Sequence, residues 1–125
     1  MPHLQNAAAR RFQMHGVSFS SFASSATGAV QLSAWRADFS PDTPGKAHTM
    51  SAEETLYVLS GTLDVEIDGD RFAADAGDAV LVPAGAVFRI SNTTEAPAQA
   101  WVTTIVGMTA AIHPEGDLIT PPWAQ

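Results

Sequence analysis

Thr62-Leu63-Asp64-Val65-Glu66-Ile67-Asp68-Gly69-Asp70-Arg71-Phe72-Ala73 is the stretch that decides the fold class. Its first six residues alternate strictly, with Leu63, Val65 and Ile67 on one face and Thr62, Asp64 and Glu66 on the other. That is the period of a strand with one buried side. Asp68-Gly69 then supplies two positions that tolerate the positive φ of a tight hairpin, and Arg71-Phe72-Ala73 begins the return strand.

Working outward, the same texture continues in both directions. Residues 54–59 read as a strand closed by Ser60-Gly61. Ala76-Gly77-Asp78 turns the chain before a strand at 79–82, and Pro83-Ala84-Gly85 separates that strand from another at 87–91. A polar loop over 92–97 leads to a long strand at 99–106. Upstream, residues 17–23 and 29–39 read as strands divided by Ser24-Ser25-Ala26-Thr27-Gly28. Pro41-Asp42-Thr43-Pro44-Gly45 is a loop, since its prolines lack backbone donors and its glycine tolerates positive φ. Many short strands joined by Gly and Pro turns, with no long helix, indicate an all-β single domain, a sandwich or barrel. Residues 1–15 are expected as an N-terminal arm with at most a turn or two of helix, residues 16–112 as the barrel, and residues 113–125 as a tail. Pro121-Pro122 should keep that tail irregular.

The chain has 125 residues, 46% of them hydrophobic and 15% charged. That suits one globular core and not a disordered chain. The absence of cysteine excludes a disulfide framework. With 13 acidic residues against 6 Lys plus Arg, the net charge of −7 repels phosphate backbones and anionic lipid. No nucleic-acid or membrane partner is expected. Residues 1–6 contain no apolar run of the kind a signal peptide carries, so a cytoplasmic location is expected.

Two stretches resemble the paired motifs of the cupin family. In His48-Thr49-Met50-Ser51-Ala52-Glu53-Glu54, with Gly61 after six further residues, His48, Glu54 and Gly61 fit the first motif. Met50 stands where the family has a second His, and Gly45 lies closer to His48 than the motif's opening glycine normally does. In the second motif Gly77, Pro83, Gly85 and Asn92 fall at the family's offsets, with Phe88 in the place of the remaining His. The resemblance implies a cupin jelly-roll β-barrel, often dimeric and often holding Fe, Mn, Ni, Cu or Zn. It does not fix the chemistry, because one fold carries many functions.

Residues two apart on a strand share a face. If the family register holds, His48 and Met50 face the interior together, as do Ala86, Phe88 and Ile90. Glu54 then reaches in from the next strand while Glu53 points out. A working transition-metal centre needs about three protein ligands and an open position. His48 and Glu54 are suitable donors, Met50 offers a soft thioether fitted to Cu(I), and Phe88 offers none. No cofactor is therefore expected, although a divalent transition metal remains an open alternative. Without a metal, Glu54 in an apolar barrel should have a raised pKa, and with His48 it makes a candidate acid–base pair. Met50, Phe88, Trp35 and Trp101 are candidate substrate-binding residues. Outside the motif, His48 reads as an ordinary hydrogen-bonded side chain, and Met50, Phe88 and the tryptophans read as packing.

Three functions compete. The first is a small-molecule-binding protein without a catalytic metal, which either only binds or acts as an isomerase, cyclase or lyase through His48 and Glu54. The second is a metal-dependent dioxygenase or isomerase using His48, Glu54 and an unrecognised ligand. The third is a non-catalytic module whose barrel is plugged by Met50 and Phe88. An open cavity of a few hundred cubic ångströms would favour the first over the third. Whether the chain is an enzyme stays open at this stage. A small-molecule ligand is the expected partner, and exposed strand edges lead to the expectation of a homodimer.

Overall fold

The computed structural model describes residues 2–114 and 116–125. Glu115, within the expected tail of residues 113–125, lies outside the described residues. Among the described residues twelve strands run in chain order: β1 (Arg10–Met14), β2 (Val17–Ala23), β3 (Leu32–Phe39), β4 (His48–Met50), β5 (Glu54–Ser60), β6 (Thr62–Ile67), β7 (Asp70–Asp75), β8 (Ala79–Val82), β9 (Phe88–Ser91), β10 (Ala98–Ile105), β11 (Ala110–Ile112) and β12 (Leu118–Ile119). Single 3-10 turns occupy Asn6–Ala8, Ser25–Thr27 and Pro122–Ala124. The strands form two antiparallel sheets, ordered β1-β2-β3-β10-β5-β8 and β12-β11-β4-β9-β6-β7. From β3 onward the chain passes back and forth between the two sheets, except at the β6–β7 and β11–β12 pairs, which stay within one sheet.

The alternation in β6 works as its pattern dictates. Leu63 and Val65 are fully buried, and the hairpin to β7 turns at Asp68 and Gly69, both with positive φ. Glycine is indispensable at Gly45, where a Cβ would stand 2.1 Å from the Ile90 carbonyl oxygen. The loop before β4 therefore lies hard against β9. Asn92, the last residue of the second motif, staples the neighbouring loops: its Nδ2 donates to the carbonyls of Ala96 (2.8 Å) and Ser40 (3.2 Å), and its Oδ1 accepts from Thr94.

Two boundary expectations need correction. Residues 10–14 are not an arm but an edge strand paired with β2, Phe12 opposite Phe19. The sharp reversal that allows this uses positive φ at His15 and Gly16. The tail is also more ordered than its prolines suggested. Leu118–Ile119 pairs with β11, and the prolines fall just beyond that strand, where no ladder donor is needed. Trp123 and Ala124 join the core. Ser21 Oγ donates to the Trp123 carbonyl (2.6 Å) and Ser33 Oγ to the Ala124 carbonyl (3.0 Å), while the Arg10 guanidinium holds the Gln125 carbonyl. Among the described residues no helix is long and apolar enough to cross a membrane.

Candidate functional site

Strands β4 and β5 belong to different sheets, and residues 51–53 carry the chain from one to the other. This crossover is why His48 and Glu54, close in sequence, enter the barrel from facing walls. His48 lies opposite Phe88 in the β4–β9 pair, and their rings sit 4.1 Å apart at 48°. Glu54 opens β5 opposite Val82. Its backbone is steadied by Thr104, whose Oγ1 donates to the Glu53 carbonyl (2.8 Å). Glu53 itself is exposed, as alternation requires.

Between these walls is a cavity of about 160 Å³. His48, Met50, Glu54 and Phe88 all line it, together with Trp35, Phe39, Leu56 and Trp123. Met50 is 5% and Phe88 2% exposed, yet the two side chains leave this space open beside them. Trp35 projects inward from β3. Trp101 does not reach the cavity. On β10 it shares the outer face with Gln99 and Thr103, opposite Arg36 and Tyr57 on the neighbouring strands, and its ring meets Phe22 at 5.4 Å. The inward face of that strand belongs to Ala98, Ala100 and Val102. The pairing of Trp101 with polar neighbours two residues either side was the available sequence signal.

Several lining residues carried no distinguishing sequence signal. Met108 sits in the turn after β10, and Phe19 stacks on Trp123 with ring centroids 3.7 Å apart and planes within 2°. That stack brings the tail across one end of the cavity. A wider hollow of about 470 Å³ lies outside the barrel, between the N-terminal residues and the Ser25–Thr27 turn. Arg10 lines it with its guanidinium bonded to Ser24 Oγ (3.2 Å). Among the described residues its lining has no carboxyl side chain, and the chemistry converges in the barrel instead.

Glu54 and His48 have distinct states. Glu54 is 5% exposed, and among the described residues its Oε1 has no hydrogen-bond partner. Loss of solvent, with no compensating charge, pushes its pKa up to about 8. Burial pulls the His48 imidazole below its ordinary pKa, opposed in part by a bond to the Lys46 backbone. His48 Nδ1 lies 2.9 Å from the Lys46 carbonyl oxygen. A carbonyl only accepts, so Nδ1 carries the hydrogen and, in the neutral ring, Nε2 is the free acceptor. At neutral pH the cavity thus holds a protonated carboxyl on one wall and a neutral imidazole on the other.

The donor set does not fit a three-ligand transition-metal centre. His48 and Glu54 are two donors, Met50 adds a weak thioether, and Phe88 fills the remaining position with hydrocarbon. Among the described residues no group of three or more His, Cys, Asp or Glu side chains is placed to hold an ion.

Comparison with known proteins places this geometry in context. Residues 35–106 match the family model described as Cupin domain. The polyketide cyclase RemF from Streptomyces resistomycificus superposes with a TM-score of 0.74 at 16% identity, covering 84% of this chain and 79% of that one. A sugar phosphate isomerase from a cupin superfamily of Silicibacter pomeroyi gives 0.74 at 22% identity, covering 90% and 82%. At such identities the likeness concerns the fold. The acetate kinase EutQ of Clostridioides difficile is 37% identical over 43 residues, 34% of this chain, and the match spans only 27% of that relative's length.

Proposed function

The chain belongs to the cupin family, and on that premise we propose that it binds a small apolar molecule and acts on it by proton transfer between Glu54 and His48, without a transition metal. The observation that carries this is the Glu54 carboxyl, buried in an apolar cavity with Oε1 unpartnered. Leaving a buried polar atom unsatisfied costs about 1–3 kcal/mol, a cost expected where the group serves a ligand and not the fold. A carboxyl that is still protonated at neutral pH is matched to general-acid work there. The cavity is smaller than the few hundred cubic ångströms usual for a ligand pocket. It is nevertheless comparable with an apolar cavity of roughly 150 Å³ that takes up benzene, so a one-ring body fits. The activities named for the cyclase and the isomerase belong to those proteins; the same broad class of chemistry is proposed here from Glu54 and His48 alone.

Thermal denaturation distinguishes this function from the metal-dependent one. Toluene at about 100 times its dissociation constant should stabilise the protein by roughly 2.7 kcal/mol, a shift of about 5 °C or more for a chain of this size. Mn²⁺, Fe²⁺ and Zn²⁺ in excess over protein should leave the midpoint unmoved. A metal-induced rise without any response to toluene would contradict the proposal.

A further inference from the structure

The polar groups on the two cavity walls are opposite in hydrogen-bonding sense, and that asymmetry selects a substrate. On the β5 wall the Glu54 carboxyl has an unpartnered Oε1. On the β4 wall the His48 Nδ1 hydrogen is committed to the Lys46 carbonyl at 2.9 Å, so in the neutral ring Nε2 is left as the acceptor. Met50, Leu56 and Phe88 line the cavity around them. A molecule held between these walls meets one carboxyl donor, one imidazole base and hydrocarbon; of the other polar lining residues, His15 and Lys46 are exposed and the Thr43 hydroxyl is bonded to the Ser40 carbonyl.

We infer that the substrate is an uncharged, enolisable carbonyl compound with a flat apolar body, its oxygen bonded by the Glu54 hydroxyl and its α-hydrogen removed by His48 Nε2. This rests on the metal-free proton-transfer function proposed above. Ionised ligands are disfavoured by the lining. Its single Lys or Arg among the described residues, Lys46, is exposed, so an anion drawn into the cavity would lie unpaired beside a carboxyl group. An ammonium would need Glu54 ionised and both charges dehydrated, a pairing whose attraction seldom repays the loss of water. A neutral carbonyl oxygen can accept from the carboxyl without adding charge.

The step balances within the site. The α C–H bond breaks, its proton goes to His48 Nε2, and its electron pair forms the new C=C bond. The carbonyl π pair takes the proton of Glu54, whose O–H bond breaks. The cavity then holds an enol, a Glu54 carboxylate and a His48 imidazolium. Return of the His48 proton to the same carbon, or to a carbon conjugated with it, regenerates a carbonyl compound as the enol hydrogen goes back to Glu54. The first outcome is exchange and the second isomerisation, and neither needs an oxidant or a reductant.

Acetophenone in D₂O is the probe, with toluene, benzoate and benzylamine as ring-matched controls, all followed by proton NMR. Acetophenone should bind at least about tenfold more tightly than the three controls, one well-placed hydrogen bond being worth that factor. Its methyl signal should disappear faster with protein than in buffer. Glu54→Gln keeps a donor for the oxygen but has no acidic proton, so binding should survive while exchange falls about 10²-fold or more. His48→Gln should abolish exchange with acetophenone still bound. Tighter binding of benzoate or benzylamine, or no exchange above buffer with acetophenone bound, would overturn the carbonyl assignment. The wider proton-transfer function would fail separately, through a metal response or an ordinary Glu54 titration.

Discussion

The double substitution Met50→His, Phe88→His is expected to turn the barrel into a divalent-metal-binding protein. Met50 lies two residues from His48 on β4, and Phe88 is the Cα partner of His48 on β9. Both side chains line the cavity that also receives His48 and Glu54. Three imidazoles and a carboxylate would supply the ligand number and type that Zn²⁺, Ni²⁺ or Mn²⁺ centres use. The apo variant should lose about 1–3 kcal/mol, because Phe88 is 2% exposed and an imidazole fills less apolar volume. Metal at a thousand times its dissociation constant should restore about 4 kcal/mol. Calorimetry should show one ion per chain at roughly micromolar affinity or tighter, about 8 kcal/mol of binding. A folded double variant that takes no metal would show that these four side chains do not converge.

Glu54→Leu is expected to stabilise the protein at pH 7, against the usual direction for a change at a buried position. The carboxyl titrates at about 8 in the folded chain against an ordinary 4.5, so the folded state holds its proton where the unfolded state has released it. The sign follows from linkage: this group's contribution is fully present below about pH 4.5, is lost as pH rises toward about 8, and is constant above. At pH 7 the accumulated loss is on the order of 3 kcal/mol, and leucine removes it. The variant's melting point should therefore exceed the wild type's by roughly 10 °C at pH 7. At pH 4 the gain should shrink to the value of the unsatisfied polar atom, about 1–3 kcal/mol. Such a gain, bought with loss of proton transfer, is the trade expected of a site group. An advantage independent of pH, or a loss at every pH, would contradict burial of an ionisable Glu54.

The fold was legible because its turns have chemical signatures. Asp68-Gly69, Ser60-Gly61, Ala76-Gly77-Asp78 and Pro83-Ala84-Gly85 bracket strands whose alternation settles which face is inward. His48, Met50, Glu54 and Phe88 came together because period-two geometry and fixed turns leave little choice of direction. Where a strand lacks a clear face the sequence was less decisive. Trp101 is large and apolar, which points to a pocket, but its neighbours Gln99 and Thr103 mark its side of β10 as the outer face. Arg10–Met14 alternates too weakly to announce an edge strand, and only the His15-Gly16 reversal, visible in the backbone, brings it onto β2. Leu118–Ile119 is two residues long, too short for a period, and Trp123 reaches the core through tertiary contact with Phe19. The orphaned Oε1 of Glu54 and the committed Nδ1 of His48 are three-dimensional facts with no local pattern.

The central claim is that the barrel encloses a carboxylic acid that stays neutral at physiological pH. Carbon-13 NMR of the side-chain carboxyl of Glu54, assigned by its absence in Glu54→Gln and followed from pH 3 to pH 10, measures this directly. The account predicts a titration midpoint near 8. A midpoint near the ordinary 4.5 would mean that water or a partner reaches the carboxylate, and the general-acid role of Glu54 would fall with it.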